Sequence, residues 1–312
     1  MFIGTGPVTP SMVRVVVTGA AGFIGAHVAR CLEQRGHSVV RTDVRAPAGN
    51  DGGWRPANLM RYPELVELTR TADAVCHLGG LGDVYAASSD PALAMSVNAV
   101  GTTSLLEASK RNGVRRFIFA STWEVYGLPQ YQPIDELHPC SPSHPYSISK
   151  LAGDLITQEY NHQGSLNTVV LRLGTAFGPN MRRNAVIPAF ILRALSGHPV
   201  EIHGTGNQFR QFTHVRDVAS AFALALEAES PEPVYNIISH ERVSVRDLAV
   251  MIGQRIPLTT VTRDPRPNDA PSSIVDAEKA GRSLGWRPEV LFEVGLNELI
   301  DAYLSDPVTQ GI

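Results

Sequence analysis

A doubly wound parallel α/β sheet is the fold class this sequence predicts, and three observations predict it. Short β-branched runs alternate with helix-patterned stretches throughout the N-terminal half. The first of these runs ends in a glycine-rich turn that opens a helix. The 312-residue chain is 43% hydrophobic and 18% charged, an ordinary globular composition with length enough for two compact lobes, or for one large domain with an appendage.

The elements follow in order. The run Val13-Arg14-Val15-Val16-Val17 predicts a buried strand ending in Thr18-Gly19. A helix is expected over 22–35, closed by Gly36, and a strand over 38–41. Strands over 74–78, 116–120 and 169–173 continue the alternation, with helices over 98–112 (closed by Gly113) and 146–162. Such alternation requires crossover connections and a sheet covered on both faces. After Leu173, glycine, proline and polar residues thicken, as in Gly178-Pro179-Asn180 and Gly204-Thr205-Gly206-Asn207. A helix over 218–227 and a strand over 234–238 return to the sheet, and the tail over 256–306 predicts a smaller C-terminal lobe. The expected division is 13–174 plus about 212–252 for the sheet domain, and about 175–211 plus 253–312 for the lobe. Residues 1–12 read as a leader ahead of the fold.

Charge and cysteine usage narrow the function. The 27 Lys+Arg against 30 Asp+Glu leave a formal charge of −3 with no basic run, which argues against a nucleic acid or a membrane surface as partner. No apolar stretch reaches bilayer length, and the first dozen residues lack the charged and apolar regions of a signal peptide. Cys31, Cys76 and Cys140 form no CxxC pair, which fits reduced thiols in the cytoplasm and no metal site.

The loop Thr18-Gly19-Ala20-Ala21-Gly22-Phe23-Ile24-Gly25 carries a GxxGxxG pattern between strand and helix. Gly19 permits the tight turn, Gly22 lets backbone N–H groups approach a pyrophosphate, and Gly25 lets helix and strand pack closely. Asp43 stands 18 residues past Gly25, at the end of the second strand, where a carboxylate accepts from an adenosine ribose and repels a 2′-phosphate. NAD is therefore favoured over NADP, although Arg41 and Arg45 stand ready to serve a 2′-phosphate. Farther on, Pro145-Tyr146-Ser147-Ile148-Ser149-Lys150 places a tyrosine and a lysine four residues apart on one helix face. A cation near a phenol favours the phenolate and makes a base able to take a hydroxyl proton.

With these residues in view, the sequence resembles the extended branch of the short-chain dehydrogenase/reductase family, the nucleotide-sugar epimerases and dehydratases, over about 13–304. The resemblance is carried by Gly19/Gly22/Gly25, Asp43, Asn58-Leu59, His77-Leu78-Gly79-Gly80, Asn98, the run from Ala120 to Gly127 and Tyr146/Lys150. It continues through the run from Leu171 to Pro179, that from Gly204 to Arg210, and Arg266-Pro267-Asn268-Asp269. It implies a Rossmann domain that holds NAD through the glycine loop with Phe23 and Ile24, through Asp43, Asn58, Leu59, Leu78, Gly79, Gly80 and Asn98, and through Tyr146 and Lys150. Gly79-Gly80 replaces a usual alanine pair and implies more room beside the cofactor. Thr122 matches the residue that bonds the reacting sugar hydroxyl, Tyr146 the base, and Lys150 its tuner. Arg210 and Arg266 match two arginines that grip a substrate diphosphate, Asp269 a ribose contact and Thr175 a position near the phosphates. Val186, Glu201 and His203 match positions around a uridine or thymidine ring. The resemblance also implies a homodimer formed by the helices over 98–112 and 146–162.

The implied first step is oxidation at the sugar's C4, Tyr146 taking the hydroxyl proton and NAD the hydride. A 4-keto sugar that turns over and is reduced on its other face gives a 4-epimerase. Removal of the C5 proton with loss of the C6 hydroxyl gives a dehydratase, and a hexuronate loses CO₂. Similar 4,6-dehydratases carry Thr-Asp-Glu where this chain has Thr122-Trp123-Glu124; uronate decarboxylases carry Thr-Ser-Glu. Trp123 has no transferable proton, whereas Glu124 keeps a carboxylate. A UDP-sugar 4-epimerase is the leading expectation, with a dehydratase or decarboxylase using Glu124 as the alternative. A 4-ketoreductase fits less well because Asp43 favours a recycled NAD, and a catalytically silent NAD-binding sensor would have lost part of Thr122, Tyr146 and Lys150.

Overall fold

The computed structural model describes residues 12–45, 53–265 and 272–306. The predicted alternation forms β1 (Arg14–Thr18), α1 (Phe23–Gln34), β2 (Ser38–Thr42), α2 (Tyr62–Thr69), β3 (Ala74–His77), α3 (Val84–Ser89) and α4 (Pro91–Met95). A π-turn (Ser96–Val100), α5 (Gly101–Arg111), β4 (Arg116–Thr122), a 3₁₀ turn (Trp123–Tyr126), α6 (Pro145–His162) and β5 (Thr168–Leu173) follow. Next come β6 (Thr175–Phe177), α7 (Val186–Leu195), β7 (Val200–His203), β8 (Phe209–Arg210), β9 (Phe212–His214), α8 (Val215–Glu227) and β10 (Val234–Ile237). The described chain closes with β11 (Val243–Ser244), α9 (Val245–Gly253), β12 (Thr260–Arg263), α10 (Glu278–Leu284) and α11 (Phe292–Ser305).

Six strands make one parallel sheet in the order β10-β5-β4-β3-β1-β2. The chain steps outward from β1 to β2 and then returns past β1 to β3. The strand order therefore switches between β1 and β3, and the crevice beyond their carboxyl ends is where such sheets bind ligands. Burial on both faces explains the unbroken apolar runs: Val15 and Val17 enter one core with Val28, Leu32 and Phe222 of α1 and α8. Val16 enters the opposite core with Leu65, Leu105 and Phe119, as the two-residue period of a strand requires. A third core joins α7, α9 and α11 through Ile187, Ile191, Leu248, Ile252, Leu296 and Leu299. Phe177, Phe212 and Phe292 pack there with ring centroids 4.9 to 6.0 Å apart.

The helix expected over 98–112 differs at its start, where five residues wind as a π-turn before α5. Within that turn, Asn98 bonds Leu81 in the loop after β3, and π-turns are frequent at functional sites. Among the described residues no helix is long and apolar enough to cross a membrane.

Candidate active site

The glycine loop closes β1 onto α1. Gly19 has φ +69° and a Cβ at Gly25 would lie 2.2 Å from the Gly19 carbonyl oxygen, so neither position accepts a side chain without moving the backbone. Gly22 is the N-cap of α1 and offers no side-chain cap, and the first turn holds no acidic residue. The N-terminal N–H groups of α1 are thus left to an anion, which fits a dinucleotide pyrophosphate. Phe23 and Ile24 open the helix, each partly buried in a core. Asp43 is buried at the end of β2, accepting from Ala21 N at 3.3 Å and Arg45 N at 2.9 Å. The arginines beside it are already engaged, Arg41 by Glu33 at 2.6 Å and Arg45 by Asp43 itself at 3.4 Å.

The loop after β3 is locked from behind. The Thr18 hydroxyl accepts from Leu78 N at 3.1 Å and Gly79 N at 2.9 Å, so its own proton goes to His77 Nδ1 at 2.7 Å. The Nε2 proton of His77 then goes to Thr102, 3.0 Å away, which donates in turn to the Asn98 carbonyl. Burial, aided by the charge of Lys150, lowers His77 to about 3 and keeps it neutral. The Asn98 side chain accepts from Leu81 N at 2.7 Å and donates to Ser149 Oγ at 2.9 Å. A Cβ at Gly80 would lie 2.7 Å from Asn98 Oδ1, and one at Gly79 would lie 3.1 Å from Thr18 Oγ1. The room that the glycine pair was expected to leave for a cofactor is taken by these two side chains instead. Asn58 turns its own loop, its Oδ1 accepting from Met60 N at 2.9 Å, and Leu59 packs against the core beside Gly101.

Chemistry gathers where β4 ends and α6 begins. Thr122 is the last residue of β4; its hydroxyl accepts from Glu124 N at 3.3 Å and favours the ionised Tyr146 phenol. Trp123 and Glu124 follow in the 3₁₀ turn, and Tyr146 and Lys150 lie in the first turns of α6. Burial pushes the Tyr146 phenol well above its ordinary range, the Glu124 carboxylate pushes it further, and Thr122 and Arg182 oppose the rise. The sequence expectation that Lys150 makes this phenol acidic is not what the structure displays. The ammonium sits over the Phe119 ring, 4.2 Å from its centroid, and burial outweighs the rest.

Lys150 itself is lowered to about 8 by burial, with Asp154 one turn on working the other way. Folded Lys150 therefore releases its proton near pH 8, while the unfolded lysine keeps it to its ordinary 10.5. Between those values the unfolded chain binds more protons, so stability rises with pH. Relative to Lys150→Met, the wild-type unfolding free energy should gain up to about 1.4 kcal/mol per pH unit from pH 8 to 10. Urea titrations of both proteins across that window check it, and a constant difference contradicts it.

A cleft beside this centre is lined by Trp123, Thr175, Phe209, Arg210, Gln211, Ile238, Ser273 and Val275. Thr175 and Arg210 thus face the same space as Trp123. Gln211, Ser273 and Ile238 were missed in the sequence. Gln211 is buried, donating to Ser239 O and Val275 O and accepting from Val275 N; its adjacency to Arg210 was the one available signal. Val186, Glu201 and His203 are outside the lining. Glu201 is paired with Arg193 at 3.3 Å and Arg263 at 3.1 Å, His203 bonds Asp264 O, and Val186 opens α7. Arg266 and Asp269 lie outside the described residues.

The profile of the NAD dependent epimerase/dehydratase family matches residues 15–237. The chain belongs to that family. Its cofactor is accordingly NAD, and the loop of Gly19, Gly22 and Gly25 with Asp43 suits that group. The chain is 30% identical to dTDP-glucose 4,6-dehydratase 1 of Escherichia coli, over 94% of its own length and 93% of that protein's. It is 29% identical to the UDP-glucose 4-epimerase of Thermotoga maritima, solved with UDP-glucose, at a TM-score of 0.87 and coverage of 93% and 98%. The UDP-glucose 4-epimerase of Thermus thermophilus, solved with NAD, is 31% identical at a TM-score of 0.83, covering 94% and 99%. Dehydratase and epimerase thus stand at equal similarity, and the reaction has to be argued from the site.

Proposed function

We propose that this chain is a UDP-sugar 4-epimerase acting through a 4-keto intermediate, with a hexose, uronate or hexosamine as the sugar. Trp123 carries this reading: between Thr122 and Glu124, on the cleft wall shared with Thr175 and Arg210, stands a ring with no proton to give a departing hydroxyl. Epimerisation requires only removal and return of a proton and a hydride at C4, together with room for the ketone to turn. Bound NAD supplies the hydride acceptor and one positive charge. Thr122 orients the C4 hydroxyl and Tyr146 takes and returns its proton. Lys150, its charge supported by Asp154, completes the set, and Arg210 offers its guanidinium to the diphosphate. The three groups Thr122, Tyr146 and Lys150 are all present, Thr122 and Lys150 buried and Tyr146 partly so, which disfavours a catalytically silent sensor.

The second reading, elimination or decarboxylation assisted by Glu124, is favoured by the presence of that carboxylate within electrostatic reach of Tyr146. UDP-glucose, UDP-glucuronate and UDP-N-acetylglucosamine, each incubated with the protein, decide between them. An epimer keeps the substrate mass, elimination loses water and decarboxylation loses CO₂. Arg210→Ala should weaken UDP binding by about 10- to 100-fold, the range of a lost hydrogen bond to a charged group, and leave NAD binding unchanged. Calorimetry with UDP and NAD measures both, and unchanged UDP affinity removes Arg210 from the site.

We also infer a homodimer paired through the outer faces of the π-turn and α6. Supporting this, Val100, Ile148 and Leu155 are large apolar side chains left exposed there. Free thiols at Cys31, Cys76 and Cys140 fit a reducing, cytoplasmic setting.

A further inference from the structure

One imidazole joins the two halves of the catalytic centre. His144 is the N-cap of α6, its Nδ1 accepting the Ser147 N–H at 3.3 Å while the Ser147 hydroxyl reaches back to the His144 backbone. A ring nitrogen that accepts leaves the neutral imidazole's proton on Nε2, and Nε2 lies 3.0 Å from Glu124 Oε2. The same ring lies parallel to Tyr146, with centroids 6.1 Å apart and planes 7° apart. An asparagine cap would serve the Ser147 N–H equally well, but its short side chain does not span to Glu124.

We propose that His144 is a positioning residue for proton transfer at Tyr146: by donating Nε2–H to Glu124 it holds that carboxylate in place and disperses its charge beside the phenol. This rests on the reading of Tyr146 as the group that takes the C4 proton. Three side chains bear on the phenol. Glu124, from the 3₁₀ turn, opposes its ionisation. Thr122, from β4, and Arg182, ahead of α7 and paired with Asp83 at 2.6 Å, favour it. Lys150, one turn along α6, is directed away from the phenol, over Phe119. Glu124 is the member of this set that His144 touches, so removing His144 leaves its negative charge bare against the phenol.

His144→Asn tests this, because it keeps the cap and gives up the bond to Glu124. The reading is the single-turnover rate of reduced-nicotinamide formation against pH, a step common to epimerase and dehydratase chemistry. The rate should rise with pH as the phenol ionises. In His144→Asn that rise should move up by about one pH unit, the scale of one neighbouring charge. Glu124→Gln should move it down, and His144→Asn added to Glu124→Gln should move it no further. An unmoved profile in His144→Asn, or the same displacement in the Glu124→Gln background, overturns the proposal. Unfolding midpoints matching wild type show that the helix cap survives. If no UDP-sugar yields reduced nicotinamide, the C4 reading itself has failed, and the proposal is then decided by nitrogen chemical shifts of His144 in the NAD-loaded protein. A protonated Nε2 that shifts in Glu124→Gln supports it, and a protonated Nδ1 or an unmoved Nε2 overturns it.

Discussion

Tyr146→Phe is expected to lower turnover by about 10³-fold, the usual worth of a positioned acid–base group, while leaving the fold and NAD binding intact. The substitution removes one oxygen from a side chain whose ring is packed against His144. Its hydroxyl oxygen is the atom lost, so the loss falls on the proton acceptor and not on the core. The structure sharpens what this experiment reports. Burial and Glu124 keep the phenol protonated, so a positive charge arriving with oxidised NAD has to offset them before Tyr146 acts as a base. Turnover of Tyr146→Phe near the wild-type value would remove Tyr146 from the chemistry. A fall in NAD affinity equal to the fall in turnover would make it a binding residue instead. Equilibrium NAD titration beside steady-state kcat separates the two.

What the sequence revealed and what it hid divide along the range of the interactions. β1, the glycine loop, α1 and the start of α6 are specified by residues within one or two turns of each other, and pattern alone found them. The π-turn at Ser96–Val100 escaped because its apolar spacing continues that of α5, and the bonds of its Asn98 reach Leu81 and Ser149, both remote in sequence. α7 escaped because nearly all its residues are apolar, which leaves no polar face for periodicity to mark. His144 carried no signal in the sequence. Its second bond is to Glu124, twenty residues earlier, and no local pattern records it. The lysine's placement over Phe119 is likewise a matter of β4 packing under α6.

Asp154→Ala should cost about 3 to 5 kcal/mol of stability, the range for breaking one side of a buried ion pair. Asp154 is fully buried on α6, accepting from Arg172 Nε at 2.9 Å and Nη2 at 3.3 Å and from Ser121 Oγ at 2.7 Å. Arg172 also donates to the Tyr126 hydroxyl, which donates to Asn236. Burial works against the guanidinium charge, and Asp154 more than offsets it, raising Arg172 above its ordinary value. Alanine at 154 leaves that cation buried with no counter-charge and the Ser121 hydroxyl with no acceptor, so the penalty exceeds that of any single lost hydrogen bond. Removing both charges with Asp154→Leu/Arg172→Met should restore much of the stability, since apolar residues of similar volume often replace a buried pair without loss. Urea unfolding of the single and double variants measures this, and a cost below about 1 kcal/mol for Asp154→Ala contradicts a buried pair. The double variant then isolates the catalytic share of the network. Lys150 sits one turn from Asp154 and draws part of its charge support from it, so a refolded but slow Asp154→Leu/Arg172→Met protein would mean that this anion is retained for the lysine above it and not for the sheet below.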